Sequence, residues 1–75
     1  MELENKNYKE RILRLTEVKA RTGLSRSTIY LKVSKGHFPR PVNLGERCVG
    51  WLESEIDTWI VGCIEKSRPS IPNTS

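Results

Sequence analysis

The side chains best suited to chemistry in this sequence are the hydrogen-bond donors between Arg26 and Lys35. This stretch combines one guanidinium, two ammonium groups and several hydroxyls at helical spacing. Such groups donate to the acceptors on base edges and to phosphate oxygens. With Ile29 and Val33 turned inward, about 100° per residue turns another set outward. That set comprises Ser27, Thr28, Leu31, Ser34 and Lys35, flanked by Arg26 and Tyr30.

The sequence contains no comparable set of residues for catalysis or metal binding. Cys48 and Cys63 stand far apart, and the single histidine, His37, completes no familiar zinc spacing with them. We expect both cysteines to be reduced thiols that pack as small hydrophobes, and His37 to be a turn residue. No phosphate-binding glycine loop and no nucleophile–base pair is visible. The sequence therefore predicts no enzyme, no catalytic residue, no metal ion and no cofactor.

Charge is distributed unevenly along the 75 residues. Thirteen lysines and arginines against nine acids give a net charge of +4. Ten of the basic residues and only three acids lie between Lys9 and Arg47, a local charge of +7. A basic segment predicts an anionic partner. No apolar run approaches the ~20 residues of a membrane span, and the first residues lack a signal-peptide core, so we expect a cytoplasmic protein.

Two short helices are predicted on either side of a Gly-Leu-Ser turn. The first follows Thr16, an N-cap candidate, carries Glu17 in its first turn and ends at Gly23. The second follows Ser25, which is predicted to be a cap rather than a contact, and ends at Gly36. Two helices of this size around such a turn are typical of a helix-turn-helix.

A β-hairpin is predicted after the second helix. Pro39 and Pro41 exclude a continued helix, because each lacks an amide hydrogen and restricts the residue before it. Val42 and Leu44 alternate with a polar residue, a Gly45-Glu46 turn follows, and residues 47–51 form the returning strand. Because a lone hairpin is marginally stable, it must pack on the helices, with Phe38 and Trp51 as its predicted anchors.

The last helix has the clearest periodicity. Its apolar stripe runs from Leu52 to Cys63, and acidic residues occupy its first turns, where they favour the helix dipole. The predicted core is built from this stripe, the short helices and the hairpin. It comprises Val18, Leu24, Ile29, Val33, Phe38, Trp51, Leu52, Ile56, Trp59 and Ile60.

Together these elements predict a mainly α fold with a small β-hairpin. The order is helix, turn, helix, two-stranded wing, helix, which is a winged helix-turn-helix domain over residues 11–66. Residues 1–10 and 67–75 are polar or rich in proline and serine, and we expect them to be flexible tails. At the wing tip, Arg47 is either a plain exposed hairpin residue or, with a DNA partner, a residue that enters a minor groove or touches the DNA backbone.

Five blocks follow one another along this chain: LTEV (15–18), TGLSRSTIY (22–30), GHFPRPV (36–42), LGER (44–47) and GWLESEIDTW (50–59). In this order they resemble the AlpA family of phage and prophage regulatory proteins. The resemblance implies a MerR-like winged helix-turn-helix related to excisionases, without enzymatic activity. Such proteins bind double-stranded DNA near integrase genes or attachment sites. Some regulate integrase transcription, and others bend attachment-site DNA and bias a tyrosine recombinase toward excision. The resemblance does not separate the two roles.

With DNA as the partner, the outward residues of the second helix are the predicted DNA contacts. Arg26 is suited to reading guanine through O6 and N7. The full list is Arg26, Ser27, Thr28, Tyr30, Leu31, Lys32, Lys35 and Arg47. Relatives often carry a basic residue at the position of Leu31. Either Leu31 contacts a thymine methyl group instead, or Lys32 supplies the charge from its neighbouring position.

Partners and assembly are also predicted. The resemblance implies a nucleoid-associated protein of a prophage or genomic island, with a tyrosine recombinase as a second partner. The lack of a long apolar run predicts no membrane partner. No heptad for a stable dimer is visible, and a single module of this kind buries only ~600–1,000 Å² on DNA. We therefore expect a monomer in solution that binds DNA cooperatively. The alternative is an interaction module whose wing or last helix binds a recombinase or a response regulator.

Overall fold

The computed structural model describes residues 10–68, which form three helices and a three-stranded sheet. The order is β1 (Ile12–Leu13), α1 (Leu15–Thr22), α2 (Arg26–Ser34), β2 (Val42–Gly45), β3 (Cys48–Leu52) and α3 (Glu53–Ser67). Helices α1 and α2 form the helix-turn-helix, β2 and β3 form the wing, and α3 follows the wing directly. The fold is the predicted winged helix-turn-helix. Most of the two predicted tails, residues 1–9 and 69–75, lies outside the described residues.

The sheet contains a strand that the sequence pattern did not predict. β1 pairs antiparallel with β3, with Ile12 opposite Leu52 and Leu13 opposite Trp51, so that β3 lies between β1 and β2. The predicted two-stranded wing is present as β2 and β3, and β1 adds a third strand to it. Two residues are too few to show the alternation that marks a strand, and only the pairing with a distant segment defines this one.

Helix α1 begins earlier than predicted. Its N-cap is Arg14, whose backbone N–H donates to the Glu17 carboxylate over 3.2 Å. Thr16 is exposed within the first turn, so its prediction as the N-cap was wrong. The acidic residue three positions after the cap makes one half of a capping box, which fixes the start at Arg14. The helix ends as predicted at Gly23, whose φ of 76° is the left-handed conformation that glycine adopts without strain.

Helix α2 begins where the sequence predicted. The hydroxyl oxygen of Ser25 accepts from the backbone N–H of Thr28 over 3.2 Å, and Ser25 is confirmed as the N-cap. Ile29 is fully buried, and Leu24 and Val33 pack beside it as half-buried residues. This inward face holds α2 against the rest of the domain and leaves its opposite face to solvent.

The core lies between the helices and the inner face of the sheet. Its buried residues are Leu13, Val18, Ile29, Phe38, Trp51 and Ile56. Trp59 and Ile60 pack against them as half-buried residues. Leu13 was missing from the predicted core because β1 was missing. Leu52, which was predicted to open the stripe of α3, is instead the last residue of β3 and the half-buried N-cap of α3.

Two tryptophans hold the loop between α2 and the wing. The indole N–H of Trp51 donates to the carbonyl of Pro39 over 2.9 Å, and that of Trp59 donates to the carbonyl of His37 over 2.8 Å. Phe38 packs edge-on against Trp59, with 4.7 Å between ring centroids. Phe38 and Trp51 are thus the anchors that the sequence predicted. His37 takes part through its backbone, in keeping with a turn residue.

The N-terminus of α3 is capped by residues that come more than 40 positions earlier in the chain. The apolar N-cap Leu52 has no side-chain acceptor to offer. Instead the Glu10 carboxylate accepts from the backbone N–H of Ser54 over 3.1 Å and from its hydroxyl over 2.9 Å. The carbonyl of Arg11 accepts from the backbone N–H of Glu53 over 2.8 Å. Glu10 falls within the predicted tail, yet it joins β1 to the start of α3.

Candidate nucleic-acid interface

The outward face of α2 is formed by short polar side chains around one leucine. Leu31 lies at its centre, opposite the buried Ile29 side of the helix, and is 54% exposed. Ser27, Ser34 and Lys35 around it are exposed, and Thr28 is half-buried. The structure therefore places four of the eight predicted contact residues, Ser27, Thr28, Leu31 and Lys35, on one open helix face.

Arg26 is held at the edge of this face by an aromatic stack. Its guanidinium carbon lies 5.4 Å from the ring centroid of Tyr30, a cation–π geometry. The Tyr30 ring in turn packs edge-on against the buried Trp51, with 6.1 Å between centroids. Tyr30 is half-buried against the core, so the Arg26 side chain is linked through this ring to the buried core of the domain.

The two lysines of α2 differ in their surroundings. Lys35 is exposed at the C-cap of the helix. Lys32 is half-buried, and its backbone carbonyl accepts from the N–H of His37 over 2.8 Å, which fixes the start of the following loop. Lys32 therefore lies beside the outward face rather than at its centre.

An uninterrupted basic segment surrounds this face. Residues 18–45 contain six lysines and arginines and no acidic residue. Within the described part of the chain, Arg26, Lys32, Lys35, Arg40 and Arg47 make no ion pair. The positive charge of these side chains is available to an external anion.

Two other arginines form ion pairs with acidic residues of the same chain. Arg21 binds Glu53 over 2.8 Å and also pairs with Asp57, both on α3. Arg11 binds Glu17 over 3.2 Å and approaches Glu53 to 3.5 Å. The hydrogen bond to Glu53 raises the pKa of Arg21 above its usual value, against the opposing effect of desolvation. Folding thereby pairs two arginines of the basic segment with acidic residues.

The wing presents Arg47 on a separate element. Arg47 lies in the turn between β2 and β3, not in the strand as predicted, and its φ is 55°. Its side chain is exposed. The carboxamide oxygen of Asn43 accepts from the N–H of Gly45 over 2.9 Å and shapes the turn. Arg14 donates from Nε to the carbonyl of Val49 over 3.0 Å and ties the wing to the start of α1.

One exposed basic residue beside α2 was missing from the predicted contacts. Arg40 lies in the loop between α2 and β2, within the same acid-free segment. In the sequence, the position of Arg40 between two prolines, in a run without acids, was the signal that could have identified it as a contact residue.

Across residues 10–68 no three His, Cys, Asp or Glu side chains come together as a metal site, and Cys48 and Cys63 are half-buried thiols. No helix in this described range is long and apolar enough to cross a bilayer.

Comparison with known proteins identifies the family. Residues 11–64, from the residue before β1 into α3, match the family described as "Prophage CP4-57 regulatory protein (AlpA)". This chain belongs to the AlpA family. The match covers the helix-turn-helix, the wing and most of α3, so the elements that carry the candidate interface are the elements that define the family.

Two individual relatives of this AlpA-family chain match about two thirds to three quarters of its length. "Uncharacterized protein ORF88" of Enterobacteria phage P4 is 53% identical over 55 residues, which are 73% of this chain and 62% of that protein. "DNA-binding transcriptional activator AlpA" of Escherichia coli (strain K12) is 43% identical over 56 residues, 67% of this chain and 80% of that protein. The chain thus spans less than two thirds of the phage P4 protein.

Proposed function

We propose that this chain is a sequence-specific double-stranded DNA-binding regulator of phage origin. The observation that carries the proposal is the exposed face of α2, where hydroxyl and cationic side chains surround Leu31 without any acidic residue nearby in the chain. The E. coli relative is named a DNA-binding transcriptional activator, which supports the same function. In this proposal α2 enters the major groove, as the second helix of a helix-turn-helix does.

The distribution of charge supports this orientation. The arginines that face α3 are already paired with Glu53 and Asp57, so they contribute little to a phosphate surface. Arg26 and Lys35 on α2, Arg40 after it and Arg47 on the wing remain unpaired among the described residues. Phosphate contacts fix the register of the protein on DNA, and base contacts from the α2 face specify the sequence.

Beyond DNA binding, the proposed biological role of the chain is in the integration and excision of a prophage or genomic island. We propose that the chain acts at an integrase promoter or at an attachment site, as a transcriptional regulator, as an excisionase-type factor that directs a tyrosine recombinase, or as both. A monomer with one recognition helix and one wing covers a short site. Binding to repeated sites is therefore expected to be cooperative.

A mobility-shift titration tests the proposal. The duplexes are the integrase promoter and the attachment site nearest to the gene, with a random duplex as competitor at moderate salt. We expect a specific shift from the wild-type chain and a weaker one from the Arg26→Ala/Lys35→Ala variant. Lys66→Ala is the matched control: it removes an exposed charge on α3 and should leave the shift unchanged.

The alternative function is an interaction module. An open groove of about 870 Å³ between the 36–42 loop and α3 favours it, since Phe38, Pro39 and Trp59 line this groove. No specific shift on either duplex, together with direct binding of the purified recombinase, would favour the module over the DNA-binding function.

If the Lys66→Ala control weakened the shift as much as the Arg26→Ala/Lys35→Ala variant does, the result would contradict the assignment of the interface to α2.

A further inference from the structure

The most exposed large apolar side chain in the described part of the molecule lies at the centre of the candidate interface. Leu31 is 54% exposed, while Ile29, two positions earlier on α2, is fully buried. The side chains around Leu31 are polar: Ser27 and Thr28 precede it, and Ser34 and Lys35 follow it. Leu31 thus makes no contribution to the core that would account for its apolar character.

We propose that Leu31 reads the 5-methyl group of a thymine in the major groove. The inference rests on the proposed function and names the base feature that the face recognises. The thymine methyl group is the one apolar feature on a base edge in the major groove, and apolar side chains contact it. A leucine at the centre of a helix face otherwise made of hydroxyls and cations matches that feature.

The charges around Leu31 identify DNA, rather than a protein, as the molecule that covers it. Lys35 and Arg26 flank the face, and the 18–45 segment contains no acid that would repel phosphate. A protein-binding leucine would be expected to lie within a larger apolar surface, because apolar contact area drives such association. Here its neighbours on the helix are groups that donate hydrogen bonds to bases and phosphates.

Replacement of thymine by deoxyuridine tests the contact directly, since it removes only the methyl group. The wild-type chain first selects its preferred duplex from a pool with a randomised core. That duplex is then resynthesised with one dT→dU replacement at a time. We expect one or two positions at which dU weakens wild-type binding about four-fold, the factor that burial of one carbon group contributes.

The same duplexes are then titrated with two variants of Leu31. Leu31→Ala should bind the dT duplex more weakly and show no further loss with dU at those positions. Leu31→Met keeps an apolar contact and should keep most of the dU effect. Val61→Ala is the matched control, because Val61 is 51% exposed on α3, and it should retain the full dU effect.

Two other outcomes separate the inference from the function on which it rests. A wild-type chain that is insensitive to dU at every position, or a dU effect that persists in Leu31→Ala, overturns the role of Leu31 and leaves DNA binding intact. A pool that shows no enrichment contradicts the proposed DNA-binding function itself, and the inference with it.

Discussion

Some residues of α2 stabilise the helix and pack it against the core, and others present side chains that can contact a ligand. Ile29 fills the core, Ser25 caps the helix, and Arg26 projects from its first turn. Arg26 is the side chain on this helix whose direction depends on an aromatic partner, since it lies over the Tyr30 ring. A guanidinium restrained in this way loses less conformational freedom when it forms two parallel hydrogen bonds with a guanine.

Arg26→Ala is therefore expected to weaken binding to the selected duplex by ~1–3 kcal/mol and to relax the preference at one base pair. The measurement is a titration of wild-type and variant proteins against duplexes that carry each alternative base pair. An equal loss on random DNA would instead assign Arg26 to a phosphate.

Short elements in this domain depend on their caps. α1 has eight residues and α2 has nine, lengths at which an isolated helix is marginal in water. The two caps differ in origin. Ser25 provides a side-chain acceptor for α2, whereas α1 begins at Arg14 and uses the Glu17 carboxylate to satisfy a backbone N–H.

Ser25→Ala should lower the free energy of unfolding by about 1 kcal/mol, because the N–H of Thr28 loses its acceptor. Thr16→Ala is the control. The threonine is exposed inside the first turn of α1, so its replacement should change stability by less than about 0.5 kcal/mol. Urea unfolding of both variants measures the difference, and a larger loss from Thr16→Ala would contradict the assignment of the cap to Arg14.

The sheet depends on close packing at a glycine in its central strand. A Cβ atom at Gly50 would collide with Cγ2 of Ile12, and would lie 3.1 Å from the carbonyl oxygen of Leu13 and 3.2 Å from Cδ1 of Leu44. Gly50 therefore lets β1 and β2 lie on either side of β3, and this requirement is not visible in the sequence alone.

Gly50→Ala is expected to destabilise the fold by ~1–3 kcal/mol through overpacking. Gly62→Ala is the contrasting substitution, because Gly62 lies inside α3 and nothing lies within 4 Å of a Cβ atom there. It should stabilise the fold by ~0.5–1 kcal/mol. Thermal unfolding measures both, and destabilisation by Gly62→Ala would argue against a continuous α3.

At the scale of the whole molecule, tertiary structure sorts the basic residues into two groups. Arg11 and Arg21 join β1 and α1 to the acidic first turns of α3. These pairs are partly exposed, with side-chain exposures between 24% and 60%, so their contribution to stability is modest. Their main consequence is electrostatic: Arg11 and Arg21 are paired, whereas Arg26, Lys32, Lys35, Arg40 and Arg47 make no ion pair among the described residues.

The salt dependence of DNA binding should reveal this division. Lys35→Ala is expected to reduce the slope of log affinity against log salt concentration by about one unit, because one phosphate contact is lost. Arg21→Gln removes the same charge but should leave the slope nearly unchanged, since its acidic partners already neutralise it. Equal reductions in the two variants would show that Arg21 faces the DNA as well.

The sequence by itself determined the helix-turn-helix, the wing and most of the core. These features depend on local signals: Ser25 as a cap, Gly23 as a helix end, the prolines before the wing and the apolar stripe of α3. Each acts within a few residues of the chain, so periodicity and turn chemistry are enough to locate it. The start of α1 was misassigned because the actual N-cap, Arg14, is not one of the residue types that favour this position, and the Glu17 carboxylate three residues later satisfies its backbone N–H instead.

Only the tertiary structure decided the features that join distant residues. β1 exists because Ile12 and Leu13 pair with Leu52 and Trp51 across the sheet. Arg21 is neutralised because folding brings it to residues 32 and 36 positions away. Neither pairing leaves a periodic trace in the sequence, since both depend on packing between elements. The composition predicts an anionic partner, and the fold determines which of the arginines remain unpaired to meet it.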